Sequence, residues 1–311
     1  MHLEKAGLEI EFFNPFSTKI DNAQVIHFFM PGYENYELIK LAKEKKIKIV
    51  ISTVVPITMS LKKRFYKTLF PLNIPTTQRI LKDSLNLADV LIAESYAEKQ
   101  FIVDYYDVNE GNIAVIPNGC SQITDVNSSI YEKIGVKPKY ILQIGRFDRN
   151  KNQLGVIKAM KGSKIPVVFV GGADSTQPEY YNECIKNAEG EEFYFLDWLP
   201  NGDPLFKSAL GNADTLVLPS YRETFGIVAL EAAMAGAKLC ISEKLPILEY
   251  PVFKECETFN PSNIKSIKEA LLKTYSKDKD PQFSKDVEEY FNWDSIIGQT
   301  IEIYHKLIYR K

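Results

Sequence analysis

Short apolar runs rich in β-branched residues alternate with helical stretches along this chain, and they do so in two separate series. The first series occupies residues 8–13, 23–29, 47–53, 90–93 and 113–116. A continuous apolar run marks a strand buried on both faces, and helices between such strands are the crossovers that parallel sheets require. The segment Ile116-Pro117-Asn118-Gly119 stops the pattern, and the polar stretch 121–129 reads as a linker. The pattern restarts at 140–144, 166–170, 193–196, 215–218 and 238–242. A helix over 264–275, a charged turn over 276–281 and a final amphipathic helix over 293–308 complete the reading.

The expected fold class is therefore α/β, with two Rossmann-like lobes. The domains expected are 1–127, 128–290 and a terminal helix, 291–311, returning to the first lobe. Ligands of such sheets bind outside the carboxyl ends of the strands, which predicts a site in a cleft there. A length of 311 residues exceeds the usual range of a single core, in agreement with two domains.

A net charge of -2 excludes a nucleic-acid binder held by charge. Cys120, Cys184, Cys240 and Cys256 form no CxxC pair and fit reduced core thiols. The opening residues MHLEKAGLEIEFF carry acids where a signal peptide needs basic residues, and no stretch reaches membrane-spanning length. A cytoplasmic protein is expected. Periplasmic solute-binding proteins share the two-lobed plan, but that N-terminus argues against them.

The most informative segment runs from Leu218 to Gly236. A strand ends at Pro219, a loop carries Glu223, Thr224 and Phe225, and Gly226 opens a helix containing Glu231. A helix N-terminus offers unpaired N–H groups and partial positive charge, so the loop suits a phosphate. Glu223 could equally be a first-turn acid favoured by the helix dipole, and Glu231 an exposed helix residue. Against this, Glu231 sits in an apolar run where an unpaired carboxylate is costly. Arg146 and Lys151 follow the first strand of the second lobe directly. An arginine that grips oxygens in pairs and a compact lysine charge suit a pyrophosphate leaving group, although a lone basic loop is ordinarily solvated surface.

In order and spacing these segments resemble the retaining family 4 glycosyltransferases of the GT-B fold. The resemblance rests on Ile116-Pro117-Asn118-Gly119, Gly145-Arg146 with Lys151-Asn152, Leu218-Pro219-Ser220, the E-x7-E pair Glu223 and Glu231, and Phe291-Asn292-Trp293 before the last helix. It implies a hexosyltransferase-type enzyme that moves a sugar from a nucleoside-diphosphate sugar to a glycan or lipid-linked acceptor, as in surface polysaccharide or glycoconjugate synthesis. Arg146 and Lys151 would bind the donor diphosphate. Glu223, Thr224, Phe225 and Gly226 would meet the donor sugar, Glu231 the ribose, and Leu196 and the residues after it the base. Arg146, Lys151 and Glu223 would carry catalysis. The final helix would pack on the first lobe. No metal and no cofactor are implied. Asp278-Lys279-Asp280 has the form of a DxD metal motif but falls in a charged turn and reads as surface loop.

The first lobe departs from that family. The chain opens at what reads as the end of a first helix, 3–7, without a glycine-rich loop before it. The stretch Ile51-Ser52-Thr53-Val54-Val55-Pro56 lacks the histidine that relatives often carry there. His27 sits on the preceding strand, where a structural role is as reasonable as a contact, and His2 and His305 read as surface. These departures motivate an alternative: a non-catalytic donor-binding subunit that supports a partner transferase. A sugar-nucleotide epimerase is a third reading, which the carboxylate pair with Arg146 and Lys151 disfavours. Finally, residues 61–71 interleave Lys62, Lys63, Arg64 and Lys67 with aromatics and leucines. Such a segment suits an anionic membrane surface and equally a solvated helix whose apolar side packs inward.

Overall fold

The computed structural model describes residues 2–58, 61–72, 74–124, 126–200 and 202–309. The chain divides into two compact units, one formed by residues 1–119 with 293–311 and the other by residues 120–292.

The first unit holds a four-stranded parallel sheet of β1 (Val25–Phe29), β2 (Lys48–Ser52), β3 (Val90–Ala93) and β4 (Ile113–Val115), in the spatial order β1-β2-β3-β4. Each crossover steps in the same direction. Because such connections are right-handed, every intervening helix must fall on one face. Side-chain alternation agrees. Ile49, Ile51, Leu91 and Ala93 pack with Ile39, Ala42, Leu85, Ile102 and Tyr105 from the connecting helices. Val50 and Ile92 point the other way, and there they meet Ile296, Ile303 and Tyr304 of the helix Trp293–Tyr309. The terminal helix thus closes the face that the crossovers cannot reach. Trp293 enters over Gly119, where a Cβ would lie 2.6 Å from the indole ring.

His27, on β1, is held inside this unit. Its Nδ1 lies 2.5 Å from the Tyr304 hydroxyl and its Nε2 2.9 Å from Ser52 Oγ. Its ring stacks on Phe29 at 4.3 Å. Burial pushes its pKa down to about 4, so the imidazole is neutral and serves as a tether between β1, β2 and the terminal helix.

The second unit has a six-stranded parallel sheet of β5 (Ile141–Ile144), β6 (Val167–Val170), β7 (Phe193–Leu196), β8 (Thr215–Leu218), β9 (Lys238–Ser242) and β10 (Glu257–Phe259), in the order β10-β9-β8-β5-β6-β7. The order reverses between β5 and β8, so the crossovers before the reversal and those after it place their helices on opposite faces, and each face has its own apolar cluster. The gap at the reversal is the standard ligand position of such sheets.

Several expectations change. Residues 8–13 form no strand; Phe12 and Phe13 are exposed, and an extended run without a neighbouring strand has no ladder to join. The three-residue strand β10 and the helix Pro281–Phe291 were not expected. The latter fills the place of the charged turn: Asp280 caps it by accepting from the Gln282 amide at 2.8 Å, and Lys279 donates to the Ala213 carbonyl at 2.7 Å. The DxD-like triplet is a helix start. The expected divisions at 127/128 and 290/291 move to 119/120 and 292/293. The Cys120 amide donates to the Phe291 carbonyl at 2.8 Å, Asn127 O accepts from Ser208 Oγ at 2.7 Å, and Phe291 is fully buried. The expected linker is therefore packed on the second unit; its Asp125 lies outside the described residues.

The state of His27 gives a pH test. Its folded pKa is depressed below the ordinary 6.5, so its contribution is complete above that value and lost as pH falls toward 4. In urea unfolding, the wild-type chain should lose stability over this window more steeply than His27→Gln, by up to about 1.4 kcal/mol per pH unit. Identical pH profiles would refute the assignment.

Candidate functional site

The loops at the carboxyl ends of β5 and β8 flank the reversal of strand order, and backbone bonds join them. The Tyr221 amide donates to the Asn150 carbonyl at 2.9 Å, and Asn150 Nδ2 donates to the Arg222 carbonyl at 2.9 Å. Asn152 precedes the helix Gln153–Met160 in the left-handed conformation, φ 54°, and its side-chain amide donates to the Pro261 carbonyl at 2.8 Å. The buried Gln143 donates to the Lys151 carbonyl at 2.8 Å. Gln153 donates to the Arg146 carbonyl at 3.0 Å. The β5 loop is thus fixed at both ends by buried amides.

A cavity of about 650 Å³ opens beside it, lined by Gly145, Arg146, Lys151, Gly171, Gly172, Ala173, Trp198, Leu199, Phe206 and Glu231, with Ile144 and Val170 behind. The size suits a small-molecule ligand. Lys151 Nζ lies 2.6 Å from Glu223 Oε1, and the same oxygen accepts from Ser220 Oγ at 2.5 Å. Arg146 Nε lies 3.0 Å from Asp174 Oδ2, and Nη2 3.3 Å from Asp148 Oδ2. Glu231 projects from the helix Ile227–Met234; burial raises its carboxyl above the usual range. The nearby Cys120 thiol is pushed up to about 12 by burial, with the Glu231 charge adding to the effect. Gly226 precedes that helix at φ 110°, and a Cβ there would meet Leu218 at 3.1 Å. Of the amides at the start of that helix, that of Ala229 donates to the Gly226 carbonyl at 2.9 Å.

Arg146, Lys151 and Glu231 are brought to one cavity, and Glu223 joins them through its bond to Lys151. Other expected residues are placed differently. The Phe225 ring is fully buried, edge-on to Tyr250 at 5.7 Å, so only its backbone can face a ligand. Leu196 is a core residue whose carbonyl accepts from the Gly171 amide at 3.0 Å; Trp198 and Leu199 line the cavity in its stead. Thr224 is half-buried and lies outside the lining. Sequence reasoning missed Gly171, Gly172 and Asp174. A Gly-Gly pair directly after the run 166–170 was the available signal. Among the described residues, no group of three or more His, Cys, Asp or Glu side chains is arranged to hold a metal ion.

Two α/β units with parallel sheets, the second with a cavity beside its switch point, have the architecture of a GT-B glycosyltransferase. The chain belongs to the family described as glycosyl transferases group 1, which residues 129–290 match. An uncharacterized glycosyltransferase of Methanocaldococcus jannaschii is 29% identical over 234 residues, covering 69% of this chain and 59% of that protein. A D-inositol 3-phosphate glycosyltransferase of Corynebacterium aurimucosum is 25% identical over 198 residues, covering 58% and 47%. A 41.2 kDa protein of the cps region of Klebsiella pneumoniae is 28% identical over 212 residues, covering 63% and 52%. The chain thus spans between 47% and 59% of the length of these relatives. Among solved structures, Anabaena HepE in complex with UDP and glucose superposes with a TM-score of 0.70 at 16% identity, over 90% of this chain and 77% of that one. Sucrose-phosphate synthase of Thermosynechococcus elongatus gives 0.67 at 19%, over 91% and 73%.

Gly171 is the tightest point of the cavity wall, with φ 152° and a position where a Cβ would lie 2.2 Å from the Gly145 carbonyl oxygen. Gly171→Ala should destabilise the chain by about 1–3 kcal/mol, measured by chemical denaturation. An unchanged midpoint would show that the β5 and β6 loops have more room than the structure gives them.

Proposed function

We propose that this chain is a retaining, metal-independent hexosyltransferase that uses a nucleoside-diphosphate sugar. The observation that carries this reading is the convergence of Arg146, Lys151 and Glu231 on one cavity, with Glu223 bonded to Lys151. HepE, whose fold this chain shares, forms complexes with UDP and with UDP-glucose, which supports a donor of that class.

In this mechanism the diphosphate lies against Arg146, Lys151 and the amides that open the helix Ile227–Met234. Fixed cations and amides stabilise the charge that develops as the glycosidic bond to the diphosphate breaks. Lys151 then exchanges part of its bond with Glu223 for a phosphate oxygen. Glu223, still held by Ser220, turns its second oxygen to the hydroxyls of the donor sugar. Thr224 and the backbone of Phe225 and Gly226 complete that wall. Glu231 takes the ribose hydroxyls, and the segment from Leu196 through Trp198 and Leu199 receives the base.

A purified chain should gain thermal stability with at least one of UDP, GDP or ADP, because a ligand of the native state raises stability by mass action. Glu223→Gln should lose turnover of the sugar nucleotide by roughly 100-fold or more, as expected for removing a transition-state contact, while nucleotide affinity changes little. Affinity without product in the wild-type chain would favour the donor-binding subunit instead. No response to any nucleotide would overturn the donor reading.

We further propose a glycan or lipid-linked acceptor used at an anionic membrane surface, in surface polysaccharide or glycoconjugate synthesis. The basic segment forms the helix Leu61–Leu69. Lys63 donates to the Pro56 carbonyl at 2.9 Å, and Lys67 lies 3.8 Å from Asp107, so both are engaged within the unit. Lys62, Arg64 and Phe65 are exposed, as are Leu72 and Ile74 just beyond. Among the described residues, no helix is long and apolar enough to cross a membrane. Replacing Lys62 and Arg64 with glutamine should weaken sedimentation with anionic vesicles and leave nucleotide binding intact. Equal sedimentation would remove the membrane proposal.

A further inference from the structure

The Arg146 side chain is 65% exposed, whereas the two carboxylates it touches, Asp148 and Asp174, are each only 8% exposed. Exposed ion pairs usually order little, because both side chains remain mobile. Here the anions are fixed and only the cation faces water. Asp174 lies on the loop after β6, a different strand from the one that carries Arg146. Its Oδ1 accepts from the Thr176 amide at 2.7 Å and from the Thr176 hydroxyl at 2.6 Å. Its own amide donates to the Phe147 carbonyl at 3.2 Å. The Asp148 Oδ1 is likewise occupied, by the Lys151 amide at 2.8 Å. Neither carboxylate can follow the arginine if it swings.

We propose that Asp174 is a positioning residue for Arg146, holding the guanidinium across the carboxyl ends of β5 and β6 so that its remaining donors meet a diphosphate in the cavity. The inference rests on the donor-site reading above. A guanidinium has five N–H groups. Asp174 takes the one on Nε and Asp148 one on Nη2, which leaves both on Nη1 and the second on Nη2 for phosphate oxygens. The two carboxylates also outweigh the single positive charge, so this corner exerts no general pull on anions. Recognition depends on the direction of the free N–H groups, and direction is what Asp174 fixes. A free arginine would have to be ordered at the moment of binding.

The test is isothermal titration of inorganic pyrophosphate and of UDP into the full chain. Asp174→Ala should weaken both by about tenfold, and Asp174→Asn by less, since its carboxamide oxygen still accepts from Nε. In an Arg146→Ala background, Asp174→Ala should add no further loss, which a role in general stability would not produce. Thr176→Val leaves the carboxylate in place and removes only the hydroxyl that pins it. It should shift affinity in the same direction by a smaller factor, and it serves if Asp174→Ala does not fold. Unchanged or tighter binding by the Asp174 variants, or equal losses with and without Arg146, would overturn the assignment. A wild-type chain that binds neither pyrophosphate nor any of UDP, GDP and ADP would bring down the donor-site reading and this inference with it, a result distinct from normal wild-type binding with indifferent variants.

Discussion

The one-way order of strands in the first unit decides how the rest of the chain must run. With β1 to β4 laid side by side in sequence, right-handed crossovers put every connecting helix on the same face of the sheet. Val50 and Ile92 would then face water. The helix Trp293–Tyr309 supplies the missing layer, and for this the chain has to leave the first unit at Gly119 and return at Trp293. Three features that look unrelated in sequence share that cause: the small residue at Gly119 beneath the indole, the tryptophan that opens the last helix, and Tyr304 near its end, which holds His27. The unit is completed only by residues far apart in sequence, a connectivity that slows folding.

In the second unit the reversal of strand order does corresponding work. Strands added outward from β5 in one direction and from β8 in the other leave adjacent carboxyl ends whose loops diverge. The space between loops would be of little use if the loops were mobile. They are cross-tied by Asn150, and the β5 loop is secured by Gln143, Asn152 and Gln153, all buried. Gly171 then lets the β6 loop approach to a distance no side chain permits.

The strands of the second sheet were legible because, buried on both faces, they are apolar throughout and bounded by turn residues. Five of the six carry the expected start within one residue and the expected end, but β10 has three residues and no such run. Residues 8–13 misled for the opposite reason: composition alone gives an apolar run, whereas a strand also needs a partner. Arg146, Lys151 and Glu223 were legible because they follow strand ends, and Glu231 because it is a carboxylate within an apolar helical run. Of the stretch expected at the base, Leu196 and the residues after it, the strand's last residue turns into the core and the chain reaches the cavity only at Trp198 and Leu199. Asp174 left no trace because its contact, Arg146 Nε to Asp174 Oδ2, runs between two loops, which no local pattern encodes.

The charges around the cavity bear on what kind of selectivity it can have. Lys151 is bonded to Glu223, and Arg146 to Asp148 and Asp174, so neither cation is surplus. A site built from surplus positive charge would hold any anion, and would hold the departing diphosphate as firmly as the donor. Compensated cations behave otherwise. Their attraction at a distance is small, and an anion gains only where it can accept from N–H groups already aimed at it. Glu231, whose burial disfavours its charged form, adds little repulsion to that balance and retains hydrogen-bonding capacity in either state. The arrangement is therefore suited to a ligand that presents phosphate oxygens along the directions of those N–H groups, with neutral hydroxyls at a fixed separation from them.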